Sequence, residues 1–355
     1  MYDILAASLT AFLITYFATP SIIRVAFEKN LVDEPGERRS HSKSVPTLGG
    51  LAIFAGLIFS TTFWIPFDVQ YTSGASNLQY ILCSFIVIFL IGAKDDIIPL
   101  PASKKFAGQL FAAFILVYFA NIRLTSLFGI MGVQEIPNYI GVPLSMLTII
   151  VIINAFNLID GINALSATIG CIICITFGYW FFRMGRLDLA ILAASTTGSL
   201  VAFLRYNLSA EIFMGDTGSL LIGLTASILS ISFIQANLEY INEYSVKSVP
   251  AVAIGVMIIP LFDTLRVFTL RVLKGKSPFS PDRTHIHHLL IDLGLAHLSA
   301  TAILGGVNIL FILLAFELQD IGTLELGFLL LFLATLLITI LKWLLNNKKK
   351  QQYNA

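Results

Sequence analysis

The stretch Asn154–Gly161 carries three polar side chains, spaced three residues apart, between two long apolar runs. In a helix, Asn154, Asn157 and Asp160 spread over an arc of about 120°, so they present two amides and a carboxylate to one side. Such groups beside apolar runs are rare unless they face a cavity or a partner, which predicts a site. The alternative is an ordinary helix end at Asp160 and Gly161.

Three further carboxylates stand at the ends of apolar runs. Asp95 and Asp96 follow one run, and Asp216 lies between two glycines at the start of another. Paired carboxylates suit a divalent cation or general-base chemistry, although a solvated helix end has the same pattern. Asp216 is either an N-cap or a magnesium ligand, and a helix N-terminus there would also favour phosphate.

A fifth acid and a histidine segment lie nearer the C-terminus. Asp263 stands in an apolar segment with Arg266 three residues later, which indicates either an internal ion pair or a site. No cysteine lies near the histidines, and their loop is basic. The loop therefore predicts contacts to phosphate or sugar hydroxyls rather than a zinc site. The residues concerned are Arg283, His285, His287 and His288.

Two basic segments remain open to two interpretations. The loop Asp33–Gly50, with His41 and Lys43, is either a topogenic loop of positive charge or a phosphate-binding loop. Lys104 and Lys105 either contact lipid head groups in general or bind the head group of a lipid substrate.

The composition predicts the elements that position these residues. Of the 355 residues, 57% are hydrophobic and only 12% are charged, whereas soluble domains carry about 25% charged residues. We expect an all-α, polytopic membrane protein with about eleven transmembrane helices. The predicted segments are Ile4–Phe27, Leu48–Pro66, Leu78–Ala93, Phe106–Ala120, Tyr139–Ile153, Ile162–Phe182, Leu187–Leu204, Ser219–Ile234, Val249–Leu270, Ser299–Phe316 and Leu324–Leu345.

The distribution of lysine and arginine predicts the orientation. Few of them fall in the even-numbered gaps between segments, and most fall in the odd-numbered gaps and the tail. Because these residues accumulate on the cytoplasmic side, the N-terminus is expected outside and the C-terminus in the cytoplasm. The cytoplasmic face then holds Asp95-Asp96, Asn154–Asp160, Asp216 and His285–His288. We predict a single transmembrane domain over residues 1–355, with a basic cytoplasmic tail at 346–355.

The motifs and their order resemble the polyprenyl-phosphate N-acetylhexosamine-1-phosphate transferases, a glycosyltransferase 4-type family. The most similar branch is the bacterial undecaprenyl-phosphate N-acetylglucosaminyl-1-phosphate transferases. The resemblance covers most of the chain. It is carried by Asp33-x-Pro35, Arg38, His41-x-Lys43, Pro46, Gly49-Gly50, Asp95-Asp96, Asn154-Ala155-Phe156-Asn157-x-x-Asp160-Gly161, Phe213-Met214-Gly215-Asp216-x-Gly218-Ser219, Pro260-Leu261-x-Asp263-Thr264 and Pro278–His288.

The resemblance implies transfer of N-acetylglucosamine 1-phosphate from UDP-N-acetylglucosamine to undecaprenyl phosphate at the cytoplasmic face of the inner membrane, with release of UMP. It implies Mg²⁺, or Mn²⁺ in its place. Asp216 resembles the principal metal ligand, and Asp160, with Asn157, resembles the motif that flanks metal and nucleotide. Asp95 and Asp96 resemble the acidic pair at the reaction centre. Lys43, His287 and His288 resemble contacts to the diphosphate or sugar.

Two departures from the family pattern stand out. Many relatives have Asp-Asp-x-x-Asp, but the last position here is Pro99. Relatives often have Asp-Gly-x-Asp-Gly where this chain has Asp160-Gly161-Ile162-Asn163-Ala164. The histidine segment resembles the branch that uses UDP-N-acetylglucosamine. The branch that uses UDP-N-acetylmuramoyl-pentapeptide typically has three adjacent histidines.

Other functions stay open at this point. A related transferase could use UDP-N-acetylmuramoyl-pentapeptide or another UDP-N-acetylhexosamine. From a different class, a secondary transporter could use intramembrane carboxylates as coupling sites, but such proteins usually show internal repeats, and none is detected here. The expected partners are the nucleotide sugar, the lipid phosphate and membrane lipid, with a homodimer as one option and no nucleic acid.

Overall fold

The protein is described by a computed structural model that covers residues 1–33, 44–65, 78–239, 243–275 and 284–354. Helices account for most of it. They are α1 (Tyr2–Glu28), α2 (Gly49–Trp64), α3 (Leu78–Ile97), α4 (Ala102–Phe114), α5 (Asn138–Ile159), α6 (Leu165–Arg183), α7 (Leu187–Asn207), α8 (Gly215–Glu239), α9 (Val249–Val256), α10 (Ile258–Leu273), α11 (Ile286–Asp292), α12 (His297–Glu317) and α13 (Thr323–Asn354).

Short non-α elements connect these helices. A π-helical turn, Ile115–Phe119, continues α4, and 3₁₀ turns occupy Ile130–Gly132 and Gln319–Ile321. Two strands of two residues each, β1 (Val32–Asp33) and β2 (Val45–Pro46), pair antiparallel. An isolated antiparallel bridge joins Ser126 and Glu135.

The all-α membrane architecture is confirmed, and each of the eleven predicted segments coincides with helical structure. Within the described ranges, seven helices are long and apolar enough to cross a membrane, or eight if a bent pair counts as one span. This number is lower than the predicted eleven. The helix α2, for example, has only 16 residues. The basic tail continues α13 as helix as far as Asn354.

Contacts within the chain divide it into two compact units, Met1–Ser245 and Val246–Ala355. The single domain expected from the sequence stays a prediction. In the first unit, α8 is the central helix. It packs against α2, α3, α5 and α6. Its sequence has no polar face, and almost all of its side chains are buried. A helix that is apolar all round is stable only when it is surrounded, which explains its place.

The second unit contains a broken helix. The segment predicted as one helix over Val249–Leu270 bends by 87° between α9 and α10, at Met257. Pro260 causes the break, because its ring clashes with the carbonyl of the residue four positions earlier, Val256. Asn308, fully buried on α12, forms hydrogen bonds with the backbone on both sides of the break. Its Nδ2 donates to Val256 O (3.1 Å), and its Oδ1 accepts from Ile259 N (3.4 Å).

Candidate active site

The first unit brings the predicted acids together around the N-terminus of α8. Asp96, at the end of α3, accepts three hydrogen bonds from the first turn of α8. Its Oδ1 accepts from Asp216 N (2.6 Å), and its Oδ2 accepts from Thr217 N (3.0 Å) and Thr217 Oγ1 (2.5 Å). Free N–H groups at a helix start need such an acceptor. The cap of α8 is therefore Asp96, and the Asp216 side chain is left for other contacts.

Glycines allow the neighbouring backbones to approach this N-terminus. A Cβ on Gly50 would overlap the backbone N of Gly218, and one on Gly92 would lie 2.5 Å from Thr217 Cα. Gly215 has φ +70°, and a Cβ there would lie 2.6 Å from Asp96 Oδ2. Only glycine adopts this positive φ readily and also leaves room for the Asp96 carboxylate. The motif glycines therefore hold α2 and α3 against the start of α8.

Lys105, on α4, links two of the acids. Its Nζ lies 2.8 Å from Asp95 Oδ2 and also contacts Asp216 Oδ2. Asp95 Oδ1 accepts a hydrogen bond from Leu100 N (2.6 Å). Burial acts to raise the pKa of Asp95, but the hydrogen bonds from Lys105 and Leu100 outweigh it and hold that pKa below its usual value. Burial acts to lower the pKa of Lys105, but the charges of Asp216 and Asp95 outweigh it and raise that pKa.

The two asparagines of the opening motif have different partners. Asn157 Nδ2 donates to Asp216 Oδ1 (3.1 Å) and to Ser219 Oγ (3.0 Å), so Asn157 belongs to the acidic cluster. Asn154 Nδ2 instead donates to Gln109 Oε1 (2.7 Å) on α4. Gln109 is a buried polar residue that sequence reasoning missed, although an amide in an apolar helix was the available signal.

Asp160 ends α5 as its C-cap residue, as the simpler interpretation of the sequence predicted. Burial, together with the negative charges of Asp216 and Asp96, raises its pKa to about 8. Burial also raises the pKa of Asp96, to about 7, against the hydrogen bonds from α8. These mutual effects show that the carboxylates share one electrostatic environment, in which an added cation would be favoured.

Asn207, at the end of α7, links the loop that follows Asp160 to the loop that precedes Asp216. Its Oδ1 accepts from Ala164 N (2.7 Å), and its Nδ2 donates to Ile212 O (2.8 Å). Ala164 has φ +66°, a conformation that favours glycine. This position is where relatives often carry the final glycine of Asp-Gly-x-Asp-Gly. Sequence reasoning missed Asn207, which is buried.

The cluster fits a hard divalent cation. One ammonium group touches both Asp95 and Asp216, so a positive charge between these carboxylates is already favoured. Mg²⁺ is usually held by one or two carboxylates, with waters and substrate phosphates completing the shell. In the part of the chain that the structure describes, no group of three or more His, Cys, Asp or Glu forms a metal cage. That is compatible with a cation bound jointly by protein and substrate.

In the second unit, Asp263 organises the start of the histidine segment. Its Oδ1 accepts from Arg266 Nη2 (2.8 Å) and from Ile286 N (3.1 Å), and its Oδ2 lies 2.8 Å from His285 Nδ1. Arg266 also donates to Thr284 O. The ion pair considered from the sequence is confirmed. Asp263 also sets the His285 ring orientation, since a carboxylate only accepts hydrogen bonds and Nδ1–H is therefore the donor.

Two side chains of this network keep polar atoms without a hydrogen-bond partner. Among the described residues, His287 Nε2 and Arg266 Nε and Nη1 are buried and unpaired. Burial and the neighbouring His288 lower the pKa of His287 to about 3, so its ring is neutral at physiological pH. Buried unpaired donors are costly, and a guanidinium suits an anionic group.

The remaining predicted residues divide into two groups. His41, Lys43 and Arg283 lie outside the described residues. Lys104 is exposed at the start of α4. The roles assigned to these four residues from the sequence stay predictions.

Comparison with known proteins decides the family. The family model described as glycosyl transferase family 4 matches residues 78–234, which include Asp95, Asp96, Asn157, Asp160 and Asp216. A probable undecaprenyl-phosphate N-acetylglucosaminyl 1-phosphate transferase of Bacillus subtilis (strain 168) is 30% identical over 349 residues, covering 96% of this chain and 92% of that protein. The chain belongs to glycosyl transferase family 4.

Further relatives support the same assignment for this glycosyl transferase family 4 protein. The undecaprenyl-phosphate alpha-N-acetylglucosaminyl 1-phosphate transferase of Escherichia coli (strain K12) is 32% identical over 298 residues, covering 82% of this chain and 76% of that protein. The protein of the same name from Yersinia pestis is 30% identical over 277 residues, with coverage of 76% and 72%. The chain is therefore a multi-pass membrane phosphoglycosyl transferase.

Proposed function

We propose that this protein transfers N-acetylglucosamine 1-phosphate from UDP-N-acetylglucosamine to undecaprenyl phosphate. The observation that carries the proposal is the convergence of Asp95 and Asp216 on one ammonium group beside the N-terminus of α8, where Asn157 donates a hydrogen bond to Asp216. The carboxylates favour a divalent cation, and a diphosphate can complete the coordination shell of such a cation. The names of the relatives supply the lipid phosphate and the transferred N-acetylglucosaminyl 1-phosphate group.

In this reaction an oxygen of the lipid phosphate attacks the phosphorus that bears the sugar. The bond between that phosphorus and the bridging oxygen of the diphosphate breaks, and UMP leaves with the bridging oxygen. The bond from the sugar's anomeric carbon to its oxygen stays intact. A bound Mg²⁺, held by Asp216 with Asp160 nearby, would supply positive charge against the charge that develops on the leaving UMP.

The side chains of the cluster have distinct tasks in this proposal. Asp95 accepts the proton of the lipid phosphate, or keeps that phosphate dianionic, through its Oδ2. Asn157 orients the Asp216 carboxylate through its amide N–H, and Ser219 gives that amide a second partner. Asp96 holds the start of α8, and with it Asp216, in place.

A route through an aspartyl-phosphate intermediate would give the same products. The two routes differ in one trapped species. Brief reaction with radiolabelled UDP-N-acetylglucosamine in the absence of lipid leaves a phospho-sugar on the protein only in the two-step route. Peptide mapping would then place that label on Asp95 or Asp96.

The proposal places the reaction at the cytoplasmic face of the inner membrane, with the N-terminus outside, the C-terminus inside and eleven spans. The support is the concentration of lysine and arginine in alternate connections. Cysteine-accessibility labelling at Lys29 and Lys348, each replaced by Cys, tests it. Lys29 lies in an odd-numbered gap and Lys348 lies in the tail, both expected in the cytoplasm. A membrane-impermeant reagent added outside the cell should therefore label neither position.

We assign the choice of sugar donor to the histidine segment. The spacing of its histidines resembles that in the branch that uses UDP-N-acetylglucosamine. The unpaired buried atoms of Arg266 and His287 support an anionic or hydroxyl-bearing ligand at that segment. A His287→Asn variant should lose donor affinity more than lipid affinity. The measurement is the KM for each substrate, compared with wild type.

The test of the reaction is UMP release by the purified protein with undecaprenyl phosphate and Mg²⁺. UDP-N-acetylglucosamine should support release, and UDP-N-acetylmuramoyl-pentapeptide should not. Removal of the cation with EDTA should abolish release, and Mg²⁺ or Mn²⁺ should restore it. An Asp216→Asn variant that kept full activity would exclude Asp216 as the principal ligand.

A further inference from the structure

Lys105 occupies the place where a cation would bind. It lies on α4, and its ammonium contacts both Asp95 and Asp216, which lie on α3 and α8. The side chain of Lys105 is 25% exposed, so it reaches the cluster from a partly open side. Its neighbour Lys104 is exposed. Of these two adjacent lysines, Lys105 is the one whose charge enters the acidic cluster.

The two carboxylates have no oxygen left without a contact. Asp95 Oδ1 accepts from Leu100 N, and its Oδ2 contacts Lys105. Asp216 Oδ1 accepts from Asn157 Nδ2, and its Oδ2 contacts Lys105. A divalent cation therefore gains the inner oxygen of Asp216 only if the ammonium group moves away.

The charge of the incoming species decides how costly that movement is. A free divalent cation displaces the ammonium and leaves it near a like charge without a new partner. A cation that arrives on a diphosphate carries phosphate oxygens, and these are acceptors that an ammonium group binds well. Lysine has a flexible four-carbon stem, so its ammonium can turn from carboxylate to phosphate.

From this geometry we infer that Lys105 is a built-in competitor for the divalent cation, so that the cation enters together with the nucleotide diphosphate. The inference rests on the proposed function for the identity of the diphosphate. It sets the order of binding: free cation binds weakly, nucleotide tightens cation binding, and Lys105 then pairs with phosphate. Lys105 thus acts first as a substitute for the metal and then as a substrate contact.

The experiment measures Mn²⁺ binding to the full-length protein in detergent or nanodiscs, by electron paramagnetic resonance, without lipid and without turnover. We compare wild type, Lys105→Gln, Lys105→Arg and the control Lys94→Gln. Lys94 is exposed near the same end of α3, and among the described residues no ion pair joins it to these acids. Lys94→Gln therefore removes an equal charge without opening the site.

We expect metal affinity to rise when the positive charge of Lys105 is removed, although the same change should impair catalysis. Lys105→Gln should bind free Mn²⁺ about tenfold more tightly than wild type. Lys105→Arg should stay near wild type, and Lys94→Gln should change by less than about twofold. Addition of UDP should tighten Mn²⁺ binding in wild type by about tenfold or more, and by much less in Lys105→Gln.

Unchanged or weaker Mn²⁺ binding by Lys105→Gln overturns the inference, and so does an equal gain in Lys94→Gln. If Lys105→Gln does not fold, as judged by circular dichroism, wild type still provides the test. Absence of any UDP effect on Mn²⁺ binding then overturns the inference. Because no turnover is measured, a protein that binds Mn²⁺ as expected but releases no UMP would contradict the proposed reaction alone.

Discussion

Asp95 and Asp96 are adjacent in the sequence, yet the structure predicts different effects on stability when each loses its charge. Asp96 caps α8 through three hydrogen bonds, whereas Asp95 contacts one backbone N–H and Lys105. Asp96→Asn should therefore lower the free energy of unfolding as well as activity. Asp95→Asn should lower activity with much less effect on stability.

The magnitude follows from what an amide does in the place of the Asp96 carboxylate. The amide oxygen can replace one carboxylate oxygen, but the NH₂ group then faces the donors of Asp216 or Thr217. Loss of a hydrogen bond to a charged acceptor costs about 1.5–3 kcal/mol. Loss of a negative charge at a helix N-terminus costs about 0.3–1 kcal/mol more. Removal of the charge also relieves the cost of burying it, which raises the pKa of Asp96 to about 7, and relieves repulsion from Asp160 and Asp216. These gains offset part of the loss, so we expect a net loss of about 2 kcal/mol.

The assay follows unfolding of the detergent-solubilised variants by circular dichroism, as the temperature or the denaturant concentration rises. UMP release is measured on the same preparations over a range of Mg²⁺ concentrations. For Asp95→Asn, Lys105 keeps Asp216 as a partner, which limits the stability loss to about 1 kcal/mol or less. If Asp96→Asn is as stable as wild type, or if Asp95→Asn is the less stable of the two, the capping argument is wrong.

Three further predictions concern other parts of the chain. Ala164→Gly should stabilise the protein by about 0.5–1 kcal/mol, because the strain of a left-handed alanine exceeds the entropy cost of glycine. A loss of stability in thermal unfolding would contradict this. Asn308→Leu should cost about 3 kcal/mol in the same assay by orphaning Val256 O and Ile259 N, whereas a neutral result would show that other groups satisfy the bend. Mn²⁺ affinity should rise between about pH 6 and about pH 8.5, because Asp160, whose pKa is raised to about 8, loses its proton over this range. An affinity that does not change with pH in titration calorimetry would refute this.

Helix positions were predictable because the signal for them is local. Runs of apolar residues long enough to span a bilayer are visible in the sequence, and each coincides with helix in the structure. The break between α9 and α10 was missed, although Pro260 marks it, because proline inside an apolar segment is also tolerated in spanning helices. The side chain of Asn308, nearly fifty residues later, decides whether the helix breaks here, because it forms hydrogen bonds with the freed backbone groups.

The acids of the site were predictable, but their partners were not. Asp95, Asp96, Asn157, Asp160 and Asp216 were all named from residue type and place. The structure brings Asn157 and the acids together.

Lys105 was assigned to a lipid head group, since nothing local links it to Asp216, 111 positions away. The contact of Asp96 with the backbone of Asp216 spans 120 positions. Such pairings depend on helix packing, which the spacing of motifs along the chain does not encode.

The burial of α8 has a consequence for how this protein tolerates sequence change. Helices at the rim of the first unit, such as α1, expose a broad lipid-facing side, so a saturation scan there should show sensitivity with a helical period. Along the most apolar 18-residue stretch of α8, 94% of the residues are buried, and the sensitive positions should form an unbroken block. That block begins at the acid which binds the metal in the proposed reaction. Random mutation will therefore damage folding and catalysis through the same short stretch of gene.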